Sequence, residues 1–193
     1  LASDLRKFMK HSRRYFLGAI STLSILPLSM SNATNVHKAA ILLYSRSGNT
    51  ATLADFIREQ IQAPIFRISP KVPYNADYSK MTDGARAEVR NGAYRELASP
   101  LPDLSNYDTI FLGSPYWWGS LSVPMSSFLM KNPLDGKNIF PFITSGSSSP
   151  EGALERIKEL CPHAKIGQYF YVSGTEAHQA RQSITNWLKT IGF

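Results

Sequence analysis

The chain has 193 residues, 43% of them hydrophobic and 18% charged, so a packed core is expected and general disorder is excluded. Its single cysteine, Cys161, rules out a disulfide framework and any cysteine-rich zinc or iron–sulfur site. The net charge of +7 is uneven: residues 1–33 hold five of the 21 basic side chains and one of the 14 acids, which leaves +3 on residues 34–193. A nucleic-acid binder keeps its basic excess clustered on the folded part, so no such partner is expected.

The first 33 residues read as an address. His11-Ser12-Arg13-Arg14-Tyr15-Phe16-Leu17-Gly18 precedes a mildly apolar run from Ala19 to Leu28, and Ser31-Asn32-Ala33 follows with small residues where a signal peptidase reads. The paired arginines before Phe16-Leu17 resemble the twin-arginine export motif. The apolar run is well short of the ~20 residues that span a bilayer, so no stable membrane anchor is expected after cleavage. Residues 1–33 are thus expected to be an export signal peptide and 34–193 the working domain, periplasmic or otherwise exported. That route is understood to carry folded proteins, often with a cofactor already loaded.

From Lys38 onward, strands and helices alternate. Ala39 to Tyr44 is a near-continuous apolar run, as a strand covered on both faces should be, and it ends in a Ser/Gly loop. Thr50 to Gln60 follows as a helix, with Ala54, Ile57 and Ile61 at spacings of three and four. Ile65–Ile68 predicts a second strand, and one helix is expected around Tyr78 to Tyr94 in the irregular stretch from Pro70 to Pro102. Thr109–Gly113 and Ile139–Thr144 predict the third and fourth strands. Glu151–Cys161 predicts a helix stopped by Pro162. Gln168–Val172 predicts the fifth strand, and Ala180, Ile184, Trp187, Leu188 and Ile191 mark the apolar stripe of a last helix. This order predicts an α/β sandwich built on a parallel sheet.

Three strand-end loops carry the chemistry, at the edge where ligands bind in open parallel sheets. In Ser45-Arg46-Ser47-Gly48-Asn49-Thr50, hydroxyls and an amide can donate to phosphate oxygens. Gly48 lets the backbone wrap closely, and the helix start adds free N–H groups. The loop has neither the lysine of a P-loop nor the glycine pattern of a dinucleotide fold, so a single terminal phosphate suits it best. A polar helix cap would explain the same residues. Gly113-Ser114-Pro115-Tyr116-Trp117-Trp118-Gly119 offers rings that can stack on a flat heterocycle, or cluster among themselves. Thr144-Ser145-Gly146-Ser147 offers backbone donors with little bulk.

These three loops in this order resemble the flavodoxin family, over Lys38 to the C-terminus. Phe142-Ile143-Thr144-Ser145-Gly146 and Leu160-Cys161-Pro162 add to the likeness. The resemblance implies a flavodoxin-like three-layer sandwich with a five-stranded parallel sheet of order 2-1-3-4-5, binding flavin mononucleotide (FMN). It assigns Ser45, Ser47, Asn49 and Thr50 to the phosphate, with Arg46 and Gly48 in the same loop. Pro115, Tyr116, Trp117 and Trp118 would line the ring. Backbone around Gly119, Thr144, Ser145, Gly146 and Ser147 would meet its polar edge.

Electron transfer or oxidoreduction through the flavin is the implied function, with no side-chain nucleophile required and none apparent. The partner would be a redox protein or a small electron acceptor such as a quinone, and the chain a monomer or homodimer. A flavin-dependent NAD(P)H or quinone reductase, and a binding module without flavin, are the alternatives. The +3 domain departs from the acidic surface that steers shuttle flavodoxins. The third loop also lacks the aromatic that covers the outer ring face in the best-known members, which leaves room for a substrate.

Overall fold

Strand β1 (Ala39–Leu43) is buried almost along its whole length, which is why it is apolar at every position instead of alternating. The computed structural model describes residues 38–146 and 149–193, so the leader expected over 1–33 lies outside the described residues. After β1 come α1 (Asn49–Ile61), β2 (Ile65–Arg67), α2 (Tyr78–Arg90), β3 (Thr109–Trp117), β4 (Ser120–Leu121) and α3 (Val123–Lys131). The chain continues through β5 (Asn138–Ser145), α4 (Glu151–Leu160), β6 (Lys165–Ile166), β7 (Phe170–Ser173), a 3-10 turn (Gly174–Gln179) and α5 (Arg181–Thr190).

The sheet runs β2-β1-β3-β5, with β6 and β7 both paired to β5. Counting those two pieces as one interrupted fifth strand gives the expected 2-1-3-4-5 order, and all these pairings are parallel. One side of the sheet packs Leu42, Ile110, Leu112 and Ile143 against Met125, Phe128 and Leu129 of α3 and Ile157 of α4. The other packs Ile41, Leu43, Phe111 and Phe142 against Leu53 and Ile57 of α1 and Ile184, Trp187 and Leu188 of α5. The result is the three-layer α/β sandwich of the flavodoxin-like fold. Among the described residues, no helix is long and apolar enough to cross a membrane.

Two local readings need correction. Helix α3 was not anticipated, because Val123 to Leu129 are all buried and so show no polar face to reveal a period. Its serines work internally: Ser127 Oγ accepts the Arg95 N–H at 2.8 Å. The third strand also outruns its expected end at Gly113. It continues to Trp117 and turns through Trp118-Gly119 into the short antiparallel β4, with Trp117 opposite Ser120. The aromatic segment is therefore mostly strand and tight turn, a stiffer mount than a loop.

Burial pushes the Cys161 thiol and the Tyr44 phenol each up to about 12. A folded value raised above the unfolded one gives stability that is complete at lower pH and drains away as pH climbs toward the folded value. The melting temperature is thus expected to hold steady from neutral pH to about 9, then fall steadily toward pH 12. Thermal melts across that range check it; a flat profile would mean neither group is kept protonated by the fold.

Candidate functional site

Helix α1 opens on Gly48, whose φ of 96° lies in the left-handed region that favours glycine. The first-turn N–H groups of Asn49 and Thr50 have no partner among the described residues, as at any helix start, and face the ligand edge of the sheet. Ser45 sits behind them, its Oγ accepting the Ala51 N–H at 3.3 Å. Thr50 is buried and shares a 2.8 Å hydroxyl–hydroxyl bond with Thr144, which ties the start of α1 to the end of β5. The guanidinium of Arg46 leaves this loop altogether: it donates to the Asn75 and Ala76 carbonyls at 3.1 and 3.2 Å, just ahead of α2.

The two tryptophans of the β3–β4 turn have different jobs. The half-buried Trp117 ring is held edge-on between Tyr44 (5.6 Å, 87°) and Tyr74 (5.1 Å, 88°). Tyr74 in turn donates to Glu88 at 2.6 Å, and Glu88 accepts from Arg95 Nε at 3.0 Å. Burial first, and then the bond to Glu88, raise the Tyr74 phenol well above its ordinary value. Trp118 stands outward with φ 50°, and its Nε1 donates to the Thr82 carbonyl of α2 at 3.0 Å. The turn is also braced from below. A Cβ on Gly152 of α4 would lie 1.9 Å from the Gly119 carbonyl oxygen.

That last contact gives a test with a definite sign. Glycine to alanine inside a helix ordinarily stabilises by about 1 kcal/mol. Gly152→Ala is expected to do the opposite, destabilising by about 1–3 kcal/mol because α4 must back away from the turn. Urea titration decides it, and a stabilised variant would show that the turn yields easily.

The loops enclose a cleft of about 790 Å³, within the size range of small-molecule sites. Its walls bring together Arg46, Ser47, Asn49, Thr50, Pro115, Tyr116, Trp117, Trp118, Gly119, Thr144, Ser145 and Gly146. Ser45 and Gly48 shape it from behind, and Ser147 lies outside the described residues. Two further walls complete the cleft, one of them from the helix expected within the stretch from Pro70 to Pro102. Tyr78, Met81, Thr82 and Ala85 of α2 close one side, and Gly174 and Thr175 another. The spacing 78, 81, 82, 85 is a helix face, legible in hindsight as the one stripe of α2 suited to a ligand. Gly174 is there because a side chain would strike Asn49, whose Nδ2 lies 2.7 Å from the added Cβ.

Among the described residues, the lining contains no aspartate, glutamate, histidine, lysine or cysteine. N–H and hydroxyl donors gather at the α1 end and aromatic rings at the other. Such a cleft can bind a molecule with an anionic end and a flat end.

The flavodoxin family model matches residues 38–191. The chain belongs to the flavodoxin family. Among solved structures, this flavodoxin-family chain is similar to a candidate flavoprotein from Bacteroides uniformis ATCC 8492. The two share 27% identity with a TM-score of 0.68, over 79% of this chain and 97% of that one. A second candidate flavoprotein, from Bacteroides eggerthii DSM 20697, shares 23% identity at a TM-score of 0.70, over 81% and 98%. A flavoprotein from Lactobacillus acidophilus NCFM, solved in complex with FMN, shares 23% identity at a TM-score of 0.63, over 74% and 97%. No curated protein matched the chain.

Proposed function

We propose that this chain binds FMN in the cleft and carries out electron transfer or oxidoreduction through it. The observation that carries the reading is the lining itself: donors at one end, aromatic rings at the other, and no carboxylate to repel a phosphate. Family membership supports it, as does the FMN held by the similar Lactobacillus acidophilus protein.

Ser47, Asn49, Thr50 and the first N–H groups of α1 would hold the phosphate. Tyr116, Trp117 and Trp118 would flank the flat ring and shield it from water. Thr144, Ser145 and Gly146 would present small polar groups to its edge. Bound FMN supplies the redox chemistry; the residues bind it, orient it and set the polarity around it. The leader makes export part of the reading, and cell fractionation with Arg13→Lys/Arg14→Lys tests that part separately.

An absorption spectrum of the protein purified without added cofactor, followed by a heat-release assay, tests the central claim. Flavin bands with FMN released at about one per chain are expected. A folded, colourless protein that takes up no added FMN would leave a binding module in the family fold. The phosphate end has its own check: Ser47→Ala/Asn49→Ala should weaken FMN binding at least about 100-fold, since hydrogen bonds to a charged group contribute about 1.5–3 kcal/mol each. Unchanged affinity would remove this loop from the phosphate assignment.

A further inference from the structure

We propose that the α2 side of the cleft mouth is a docking surface for an acidic patch on a redox partner protein; this rests on the FMN reading above. Three observations converge on the mouth. Tyr78 and Trp118 line the cleft, yet they are 71% and 49% exposed, so much of each ring faces outward. Each ring carries a guanidinium, with Arg46 5.9 Å from the Tyr78 centroid and Arg86 4.9 Å from that of Trp118. Neither arginine has a carboxylate partner among the described residues. The ion pairs there join Arg58 to Asp55, Lys71 to Glu96, Arg95 to Glu88, Arg156 to Glu159 and Arg181 to Glu59.

Helix α2 carries Lys80, Arg86 and Arg90 against Asp83 and Glu88, and Glu88 is paired with Arg95. Asp77 is engaged at the start of α2, accepting the Lys80 N–H at 2.9 Å. Asp83 lies three residues before Arg86 and is its neighbour on the helix surface, yet the two form no ion pair. Glu176 follows Thr175 on the β7 side. Exposed aromatic rings capped by unneutralised arginines have the composition of an interface core, and their sign selects an anionic surface. The exposed parts of the two rings and their cations stand together at the mouth, where a broad macromolecular surface can reach them.

The test uses the full FMN-loaded chain, reduced beforehand with dithionite and mixed with excess oxidised cytochrome. Each cytochrome takes one electron, its haem iron passing from ferric to ferrous. Two probes are used: soluble cytochrome b5, which is acidic, and cytochrome c, which is basic. With the acidic probe, the rate should fall as ionic strength rises from about 10 to about 300 mM; with the basic probe it should rise. Arg46→Gln/Arg86→Gln should slow the acidic probe at least about fivefold at low salt, and Arg86→Gln alone at least about twofold. Arg58→Gln/Lys189→Gln removes the same net charge elsewhere and should cost less than about twofold.

Flavin content is measured on every variant, so a colourless protein counts against the FMN reading and not against the docking surface. Fully loaded protein whose rates ignore salt overturns the proposal. So does an equal loss in the remote variant, which would leave net charge as the whole effect. A fall in rate with salt for ferricyanide but not for cytochrome b5 would replace the protein partner with a small anion.

Discussion

Replacing Gly113 with alanine is expected to destabilise the domain by about 2–3 kcal/mol, a fall in melting temperature of roughly 5–10 °C. Gly113 lies in the middle of the sheet, in register with Leu43 on one side and Phe142 on the other. An added Cβ would sit 2.2 Å from Phe142 Cζ, 2.4 Å from its Cε2 and 3.0 Å from Leu43 Cβ. The Phe142 ring is fully buried against the α1 and α5 layer, so it has nowhere to retreat. Urea unfolding should show a lower midpoint with an unchanged slope, because the clash acts on the folded state. Phe142→Leu frees the space occupied by the ring, so the Gly113→Ala/Phe142→Leu pair should lose less than the two single changes added together. Strict additivity would mean that the ring is not what excludes a side chain at 113.

The tryptophans of the turn should separate just as sharply. Trp117→Ala removes a ring clamped between two tyrosines, each edge-on contact being worth about 0.5–1.5 kcal/mol beyond the area it buries. A loss of about 3 kcal/mol is expected, together with much weaker FMN binding, and Trp117→Phe should recover part of both. Trp118→Ala gives up one hydrogen bond to Thr82 and one cation–π contact at an exposed site, so its cost should stay near 1 kcal/mol. Paired urea titrations read the difference. If both variants lose the same amount, Tyr44 and Tyr74 do not hold Trp117 in place.

The sequence carried the layer order because β1, β3 and β5 are covered on both faces and advertise it as unbroken apolar runs. It marked the three loops by their place, since serine, glycine and tryptophan segments fall at strand ends on the edge where ligands bind. A helix was legible in the stretch that forms the α2 wall, but the residues that face the cleft were not, because their contribution is positional. Tyr78, Thr82 and Ala85 are unremarkable in a polar helix until Trp118 and Arg46 are seen holding that helix against the cleft. Arg46 shows the limit most plainly. Its place between Ser45 and Ser47 marks it only as a member of the phosphate loop, and nothing in the local sequence shows that its guanidinium reaches two carbonyls about 30 residues away. Helix α3 vanished into the core for the opposite reason, being buried all round instead of on one stripe.

The excursion that carries α2 leaves and rejoins the body at a single point. Pro70 pairs with Leu97, and the Ala98 N–H donates to the Ser69 carbonyl at 2.8 Å, so its two ends meet. A short turn joining Ser69 to Ala98 would delete the wall without cutting a strand of the sheet or the α1 cradle. The flavodoxin scaffold here thus holds its cleft wall as a cassette. Exchanging that one segment would change what reaches the mouth, provided the replacement restores the Tyr74 edge behind Trp117 and the Arg95 N–H on Ser127.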